Sequence, residues 1–441
     1  MLAMFGLIGA LALLVFLAMR GMSILVAAPI CAILLAITSG IALIPTRADP
    51  EQVYFVTTYM SGFVSFFAAW FPMFLLGAIF GKMMEDSGAA HSIAHYVVEK
   101  LGVRYAVMAI VSACAVLTYG GVSVFIVAFS VYPMALGLFR AADLPRRFLP
   151  GVIAFGSVTF TMTSAGSVEI QNWIPTQYLG TTPLAGWPVS LVVALVMAGT
   201  GYIWLGRMIA KAVARGERFV SRGEDPDERE AEQLPHPILS LLPLVSVLGM
   251  SIWLYPIFDK WALLLALGTG IAVVSVLNWS RFTDYGNAAA LGATGAVIAI
   301  VNTCAVVGFG SVAKVSPAFQ TALEAVTQIP GHPLIAAAIA VTVICGLTGS
   351  ASGGQAIALP LLAPHYVGDG APHPVDPEAL HRVVAIASGG LDSLPHNGYV
   401  VTTIRAICGE THKDAYGPVG ALTVIVPAFG AVLAVLLFIL F

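Results

Sequence analysis

Charge is what this sequence has least of. Of 441 residues, 10% are Asp, Glu, Lys or Arg and 59% are hydrophobic, and the mean hydropathy is +0.91. A soluble domain carries about 25% charged residues. So few charges cannot coat a water-facing surface, which argues against a large soluble enzyme. The net charge is −3 and no basic patch interleaves with aromatics, so nucleic acid is not an expected partner. Cysteine is scarce and scattered. Cys31, Cys114, Cys304, Cys345 and Cys408 lie in or beside apolar stretches, without CxxC spacing. They read as small hydrophobes, not as a disulfide framework or a metal site. No GxxxxGK[ST] loop is present, which excludes direct ATP coupling through that motif. Four repeated TVGYG-like filters are absent as well. No basic region precedes the run Leu2–Met19 and no small-residue cleavage site follows it, so a cleaved signal is not expected.

Long apolar runs fill the chain instead. Candidate spanning or half-spanning segments are 2–19, 24–44, 53–81, 103–117, 121–139, 148–165, 183–206, 237–257, 261–279, 287–310, 333–349, 353–366, 381–408 and 417–441. A helix crosses a bilayer in roughly 17–25 residues. These runs are too long for the short alternating strands of a membrane barrel. The expected fold is an all-α polytopic membrane protein with about 12–14 membrane segments, and the lipid bilayer is its surroundings. One stretch departs from this pattern. Arg207 to Gln233 holds Arg207, Lys211, Arg215, Arg218, Arg222 and Arg229, together with GEDPDERE. Basic residues near span ends mark the cytoplasmic side. Arg140, Arg146 and Arg147 form a second basic cluster, whereas Gly368–Glu378 is acidic and proline-rich. The chain therefore divides into a membrane half 1–206, a polar cytoplasmic connection 207–236 and a membrane half 237–441.

The halves repeat faintly. GAIFGKMMEDSG (Gly77–Gly88) aligns with VVGFGSVAKVSP (Val306–Pro317), pairing Gly81 with Gly310 at an offset of 229. Gly120-Gly121 aligns with Gly353-Gly354 at offset 233, and TSAGSVEIQN (Thr163–Asn172) with LPHNGYVVTT (Leu394–Thr403) at offset 231. Repeats with interrupted segments are a transporter signature, and the interruptions form the site.

Glycine-rich breaks expose backbone, which hydrocarbon does not tolerate unless protein or a wet cavity surrounds it. GLTGSASGGQAIAL (Gly346–Leu359) and LTYGGVSVF (Leu117–Phe125) read as re-entrant hairpins. Their substrate-facing candidates are Gly120, Gly121 and Ser123 in the first, and Ser350, Ser352, Gly353 and Gly354 in the second. Amides opening the following half-helix can bind an anion. The second break of each half is more polar. It offers Ser164, Gly166, Ser167, Gln171 and Asn172 in the first half, and His396 and Asn397 after Pro395 in the second. Neutral donors of this kind, with little fixed positive charge, suit a small hydroxylated carboxylate.

Glu169 and Asp392 are the carboxyls inside those breaks, and intramembrane ionisable residues are functional candidates by default. Desolvation raises a carboxyl's pKa, so each could load and release a proton. His396 is the rival proton carrier, since histidine titrates near neutrality. Glu85 and Asp86 read as interface charges. His91, His95 and Glu99 share a helix face, but nothing else there marks a zinc site. No metal, cofactor or catalytic nucleophile is expected. The different-class alternative is a membrane-embedded enzyme using His396 and Asp392.

The stretches GAIFGKMMEDSGAA, YGGVSVFIVAFSVYPMA, VEIQNWIPTQYLGTTPLAG, TGSASGG and SGGLDSLPHNG resemble the gluconate:proton symporter family of bacterial inner-membrane permeases. The resemblance is closest to its D-beta-hydroxybutyrate permease branch. It implies proton-coupled uptake of a sugar acid or another small hydroxycarboxylate, two inverted repeats with re-entrant hairpins, and a homodimer. It also implies hairpin tips at Gly120-Gly121 and Ser350–Gly354, with Gln171-Asn172 and His396-Asn397 near substrate. Gluconate permeases have a histidine- and proline-rich stretch where this chain has SAGSVEIQN. A shorter acid such as 3-hydroxybutyrate is therefore expected over gluconate. Sodium is the alternative coupling ion.

Overall fold

The computed structural model describes residues 2–20, 22–45, 52–102, 105–222, 234–319, 321, 329–368, 370–395 and 397–441. His396 and all of GEDPDERE lie outside the described residues. The described chain is helical, and its only β-type contact is an isolated bridge between Ala42 and Tyr54. The first half runs α1 (Leu2–Met19), α2 (Ile24–Thr38), α3 (Phe55–Asp86), α4 (Ala89–Leu101), α5 (Ala106–Tyr119), α6 (Val124–Ala141), α7 (Leu149–Ala154), α8 (Ile174–Leu179) and α9 (Trp187–Ala214). The second runs α10 (Pro237–Phe258), α11 (Trp261–Asn278), α12 (Tyr285–Lys314), α13 (Pro333–Thr348), α14 (Ala351–Tyr366), α15 (Pro377–Ser388), α16 (Gly398–Val401), α17 (His412–Gly420) and α18 (Val426–Leu440). Local chemistry starts several of them. Asp284 accepts a hydrogen bond from the Asn287 amide at the start of α12, and Asp376 accepts from Glu378 and Ala379 at the start of α15. Pro188 and Pro237 sit in the first turns of α9 and α10, where the missing N–H removes no helical bond.

Among the described residues, seven helical stretches are long and apolar enough to cross a membrane. They are α3, α6, α9, α10, α11 with its following turn, α12, and 412–440 as one interrupted span. Their outer faces carry large apolar side chains, such as Leu195 (64% exposed), Trp253 (67%) and Val276 (78%). A surface of that kind belongs in lipid.

The element order of 55–214 recurs over 285–440. A long helix, a hairpin of two shorter helices, a broken segment and a closing span come in that order in both, with α4 between the long helix and the hairpin in the first half. The two long helices, α3 and α12, pack directly on each other and run antiparallel. Tyr59 of α3 donates to the Ala305 carbonyl at 3.0 Å, and Gly62 lies under Ser311. Twenty residues farther along α3, Ile79 meets Gly292, where a Cβ would stand 2.8 Å from the Ile79 Cα. Position advances along one helix as it falls along the other.

Gly81 and Gly310 occupy matching places. A Cβ on Gly81 would meet Ile126 at 3.2 Å, and one on Gly310 would collide with Ile357. Ile126 and Ile357 lie 231 positions apart, each on the second helix of its own hairpin. The left-handed glycines Gly180 (φ 64°) and Gly409 (φ 62°) form another such pair.

The runs 148–165 and 381–408, read as spanning or half-spanning, are interrupted: helix gives way to irregular backbone after Thr159 and after Ser388. Two readings change. The polar connection begins near Arg215, not Arg207, because α9 continues to Ala214. Arg207 and Lys211 sit in its last turns, where cations complement the helix dipole. Gly120-Gly121 and Gly353-Gly354 are not structural equivalents. The first pair forms a turn, with Gly121 at φ 95°, whereas the second lies in the first turn of α14. The matching turn is Gly349-Ser350. Gly354 is instead a close-approach position, where a Cβ would stand 2.6 Å from the Cys345 Cα. Backbone cannot yield there as a side chain can. Gly354→Ala is therefore expected to force α13 and α14 apart and to destabilise the protein by about 1–3 kcal/mol or more. Thermal unfolding of the detergent-solubilised variant checks this.

Candidate functional site

Each broken segment lies against the tip of its own hairpin. In the first half, Tyr119 at the end of α5 donates to the Ala165 carbonyl at 2.7 Å, and Gly121 packs on Val168. In the second, Asn397 donates to the Gly349 carbonyl at 3.0 Å, and Gly346 packs on Leu391. Each break also touches the opposite half. Ile170–Asn172 and α8 pack on α14 and α15, and the π-helical turn Thr402–Ile407 packs on α6 and α7. The expected hairpin tips and second breaks are thus neighbours in space, although more than 40 residues separate them along the chain.

Within the first break most polar groups are already committed. The Gly166 amide donates to Pro183, and Ser164 bonds back to Phe160. Ser167 accepts from the Glu169 amide through its hydroxyl, and from Asn172 and Trp173 through its carbonyl. Asn172 is fully buried, with its amide N–H groups on Ser167 and Pro183 and its oxygen accepting from Arg382. Its role in this arrangement is to hold the break's shape. Two side chains stay unspent. Gln171 has a buried oxygen with no partner, and the Glu169 carboxyl has no ion-pair or hydrogen-bond partner among the described residues.

In the second break, Asp392 is buried and accepts from the Ser393 hydroxyl at 2.9 Å. Asn397 caps the next half-helix by accepting from the Val400 amide. Ser350 caps α14 through the Gly353 amide and lies 3.4 Å from Ser352. Gln355 donates to Ser388 and leaves its own oxygen buried without a partner. Among the described residues, no contact joins Glu169 to Asp392, and none gathers three metal-ligating groups.

The reading of little fixed positive charge needs correction. Arg382, in the middle of α15, is completely buried behind the first break. Its Nε donates to Ala185 at 2.9 Å, its Nη1 to Thr163 at 2.7 Å and to Asn172 Oδ1 at 2.9 Å, and its Nη2 to Pro183 at 3.2 Å. No carboxylate pairs with it among the described residues. Next to it, His381 Nδ1 shares a hydrogen bond with Thr181 at 2.6 Å. Sequence reasoning passed over this pair, although ionisable residues opening an apolar run were the available signal.

Arg146, just before α7, does the reciprocal job. It pairs with Glu410 at 2.9 Å and reaches the Val220 carbonyl at 3.2 Å. Arg222 joins Glu410 at 2.9 Å, and Arg147 binds Glu217 at 2.6 Å. The hydrogen bond from Arg147 holds the Glu217 carboxyl below the usual carboxylate range. The start of the connection is thus tied to both halves. An arginine from each half grips the segment that follows the other half's break.

A polytopic helical membrane protein with two interrupted segments at its centre has the architecture of a transporter. Comparison with known proteins agrees. Residues 1–254 match the GntP family permease pattern. The chain is 36% identical to an uncharacterized transporter of Bacillus subtilis, over 97% of this chain and 96% of that protein. It is 28% identical to an uncharacterized transporter of Haemophilus influenzae, over 42% of each. The chain belongs to the GntP family of permeases. It is accordingly a transporter and not an enzyme.

Proposed function

We propose that this permease is a proton-coupled symporter of a small hydroxycarboxylate such as 3-hydroxybutyrate, working between two inverted repeats. The observation that carries this reading is the pair of matching interruptions, each holding one carboxyl: Glu169 in the first and Asp392 in the second. The antiparallel packing of α3 on α12 supports inversion, since these are equivalent helices. Arg140, Arg146, Arg147 and the arginines after α9 mark the cytoplasmic side. On that orientation the α5–α6 hairpin enters from the cytoplasm and the α13–α14 hairpin from the opposite face. The 14 residues of α5 extend about 21 Å, short of the roughly 30 Å hydrocarbon thickness, which supports re-entry. The inner membrane and a homodimer complete the reading, both by family resemblance.

The chemistry follows from charge. A carboxylate substrate crossing alone carries charge through the membrane potential, worth about 2.3 kcal/mol per 100 mV. A proton taken up by Glu169 or Asp392 cancels that charge, so one-to-one symport is electroneutral and draws on the pH gradient. Gln171, Ser350 and Ser352 offer hydrogen bonds without adding charge.

The test is uptake of labelled 3-hydroxybutyrate into liposomes holding the purified protein, with proton and sodium gradients imposed separately. Accumulation on the proton gradient, competed by excess unlabelled 3-hydroxybutyrate but not by gluconate, is the expected result. Accumulation that needs sodium would remove the proton role of both carboxyls. Competition by gluconate would move the substrate to sugar acids.

A further inference from the structure

A cavity of about 240 Å³ adjoins the first break, where α3, α8, α12 and α14 meet. Two of these helices come from each half. Ser65 and Lys314 in its lining are exposed, whereas Phe66, Trp70 and Ile357 are buried, so it runs from the surface into the interior. Its lining mixes two chemistries: apolar and aromatic side chains such as Phe66, Trp70 and Ile357, and polar ones, Ser65, Gln177, Ser311 and Lys314. The amide nitrogen of Gln177 is buried without a hydrogen-bond partner. The Ser311 hydroxyl rests over Gly62 and has no hydrogen-bond partner among the described residues. An unpaired buried amide is costly, and a native fold keeps one where a ligand or water completes it.

We propose that this cavity is the binding site of the transported acid. The carboxylate accepts from Gln177 Nε2 and the Ser311 hydroxyl, and the carbon chain lies on Phe66, Trp70 and Ile357. The inference rests on the transporter reading above and adds the place and the selectivity. The cavity is smaller than the roughly 300–1,000 Å³ of drug-sized sites, which matches a short acid. A polyhydroxylated acid would press its hydroxyls against these apolar side chains, where they find no partner, and would be rejected. At the matching place in the first half, Gly81 is followed by Lys82, which pairs with Glu85 at 3.0 Å and with Asp86 at 2.8 Å. Where Lys82 and Glu85 stand in the first half, the second half has Ser311 and Lys314.

The experiment uses Ser311→Cys in the full-length protein in liposomes, labelled with a small water-soluble maleimide. All five native cysteines are buried, so background labelling is low. Labelling is expected, and saturating butyrate or 3-hydroxybutyrate should slow it about tenfold while gluconate does not. Gln177→Leu should raise the half-saturating concentration for 3-hydroxybutyrate uptake about tenfold or more. If wild type transports the acid, yet neither acid slows labelling and Gln177→Leu saturates as wild type does, the site is overturned and the transporter reading stands. If wild type transports no carboxylate on either gradient, that reading fails first and the cavity assignment falls with it. Should Gln177→Leu not fold, the labelling arm still decides.

Discussion

Arg382→Gln should abolish transport and sharply lower the unfolding temperature. The wild-type guanidinium satisfies the carbonyls of Thr163, Pro183 and Ala185 and the Asn172 side chain, all from the opposite half. Glutamine is shorter and has two N–H groups where arginine has five. Pro183 keeps the Gly166 amide and Asn172 as donors, but at least one of the other three acceptors then lies buried without a donor, at about 1–3 kcal/mol. Asn172 loses the contact that fixes its oxygen, and with it the path of the chain past Glu169 and Gln171. Arg382→Lys separates charge from shape. It keeps the cation but cannot place a planar fork on four acceptors, so it should fold better than the glutamine variant and still transport slowly. Thermal unfolding in detergent and uptake in liposomes read the two effects independently. Wild-type unfolding temperature in Arg382→Gln would mean that the carbonyls find other donors, and the clamp between halves would lose its role.

Glu169→Gln has the second large effect, on coupling and not on stability. Its carboxyl has no partner among the described residues, so replacing it with an isosteric amide breaks no ion pair and no hydrogen bond. The variant should unfold close to wild type. Accumulation of 3-hydroxybutyrate against its gradient should fall at least tenfold, because a side chain that cannot ionise cannot release a proton on the far side. Exchange of labelled for unlabelled acid, which needs no net proton movement, should continue. Loss of both activities would assign Glu169 to substrate binding. Retained proton-driven accumulation would leave Asp392 as the proton carrier.

The polar breaks were legible because glycine, proline and side-chain amides are conspicuous in an apolar chain. Gly81 and Gly310 were legible too, since close packing admits only the smallest residue. Where the helix ends within 148–165 and 381–408 was not legible, because apolar composition continues up to both interruptions. Hydropathy records the solvent around a segment, not whether its backbone is helical. The Gly-Gly pairing misled for a related reason. Glycine serves a turn at Gly121 and a close helix contact at Gly354, and the letter is the same.

Composition alone decided the solvent. A chain with one charged residue in ten cannot cover itself for water, whatever its fold, and in hydrocarbon its backbone must close its hydrogen bonds as helices. Which polar groups are free was decided only in three dimensions. Asn172 and Gln171 are adjacent in sequence and alike in chemistry, yet one is spent on Arg382 and the other has an unpartnered oxygen. An acceptor is available only if no donor reaches it, and here the competing donor stands 210 residues away, brought in by the packing of one half on the other.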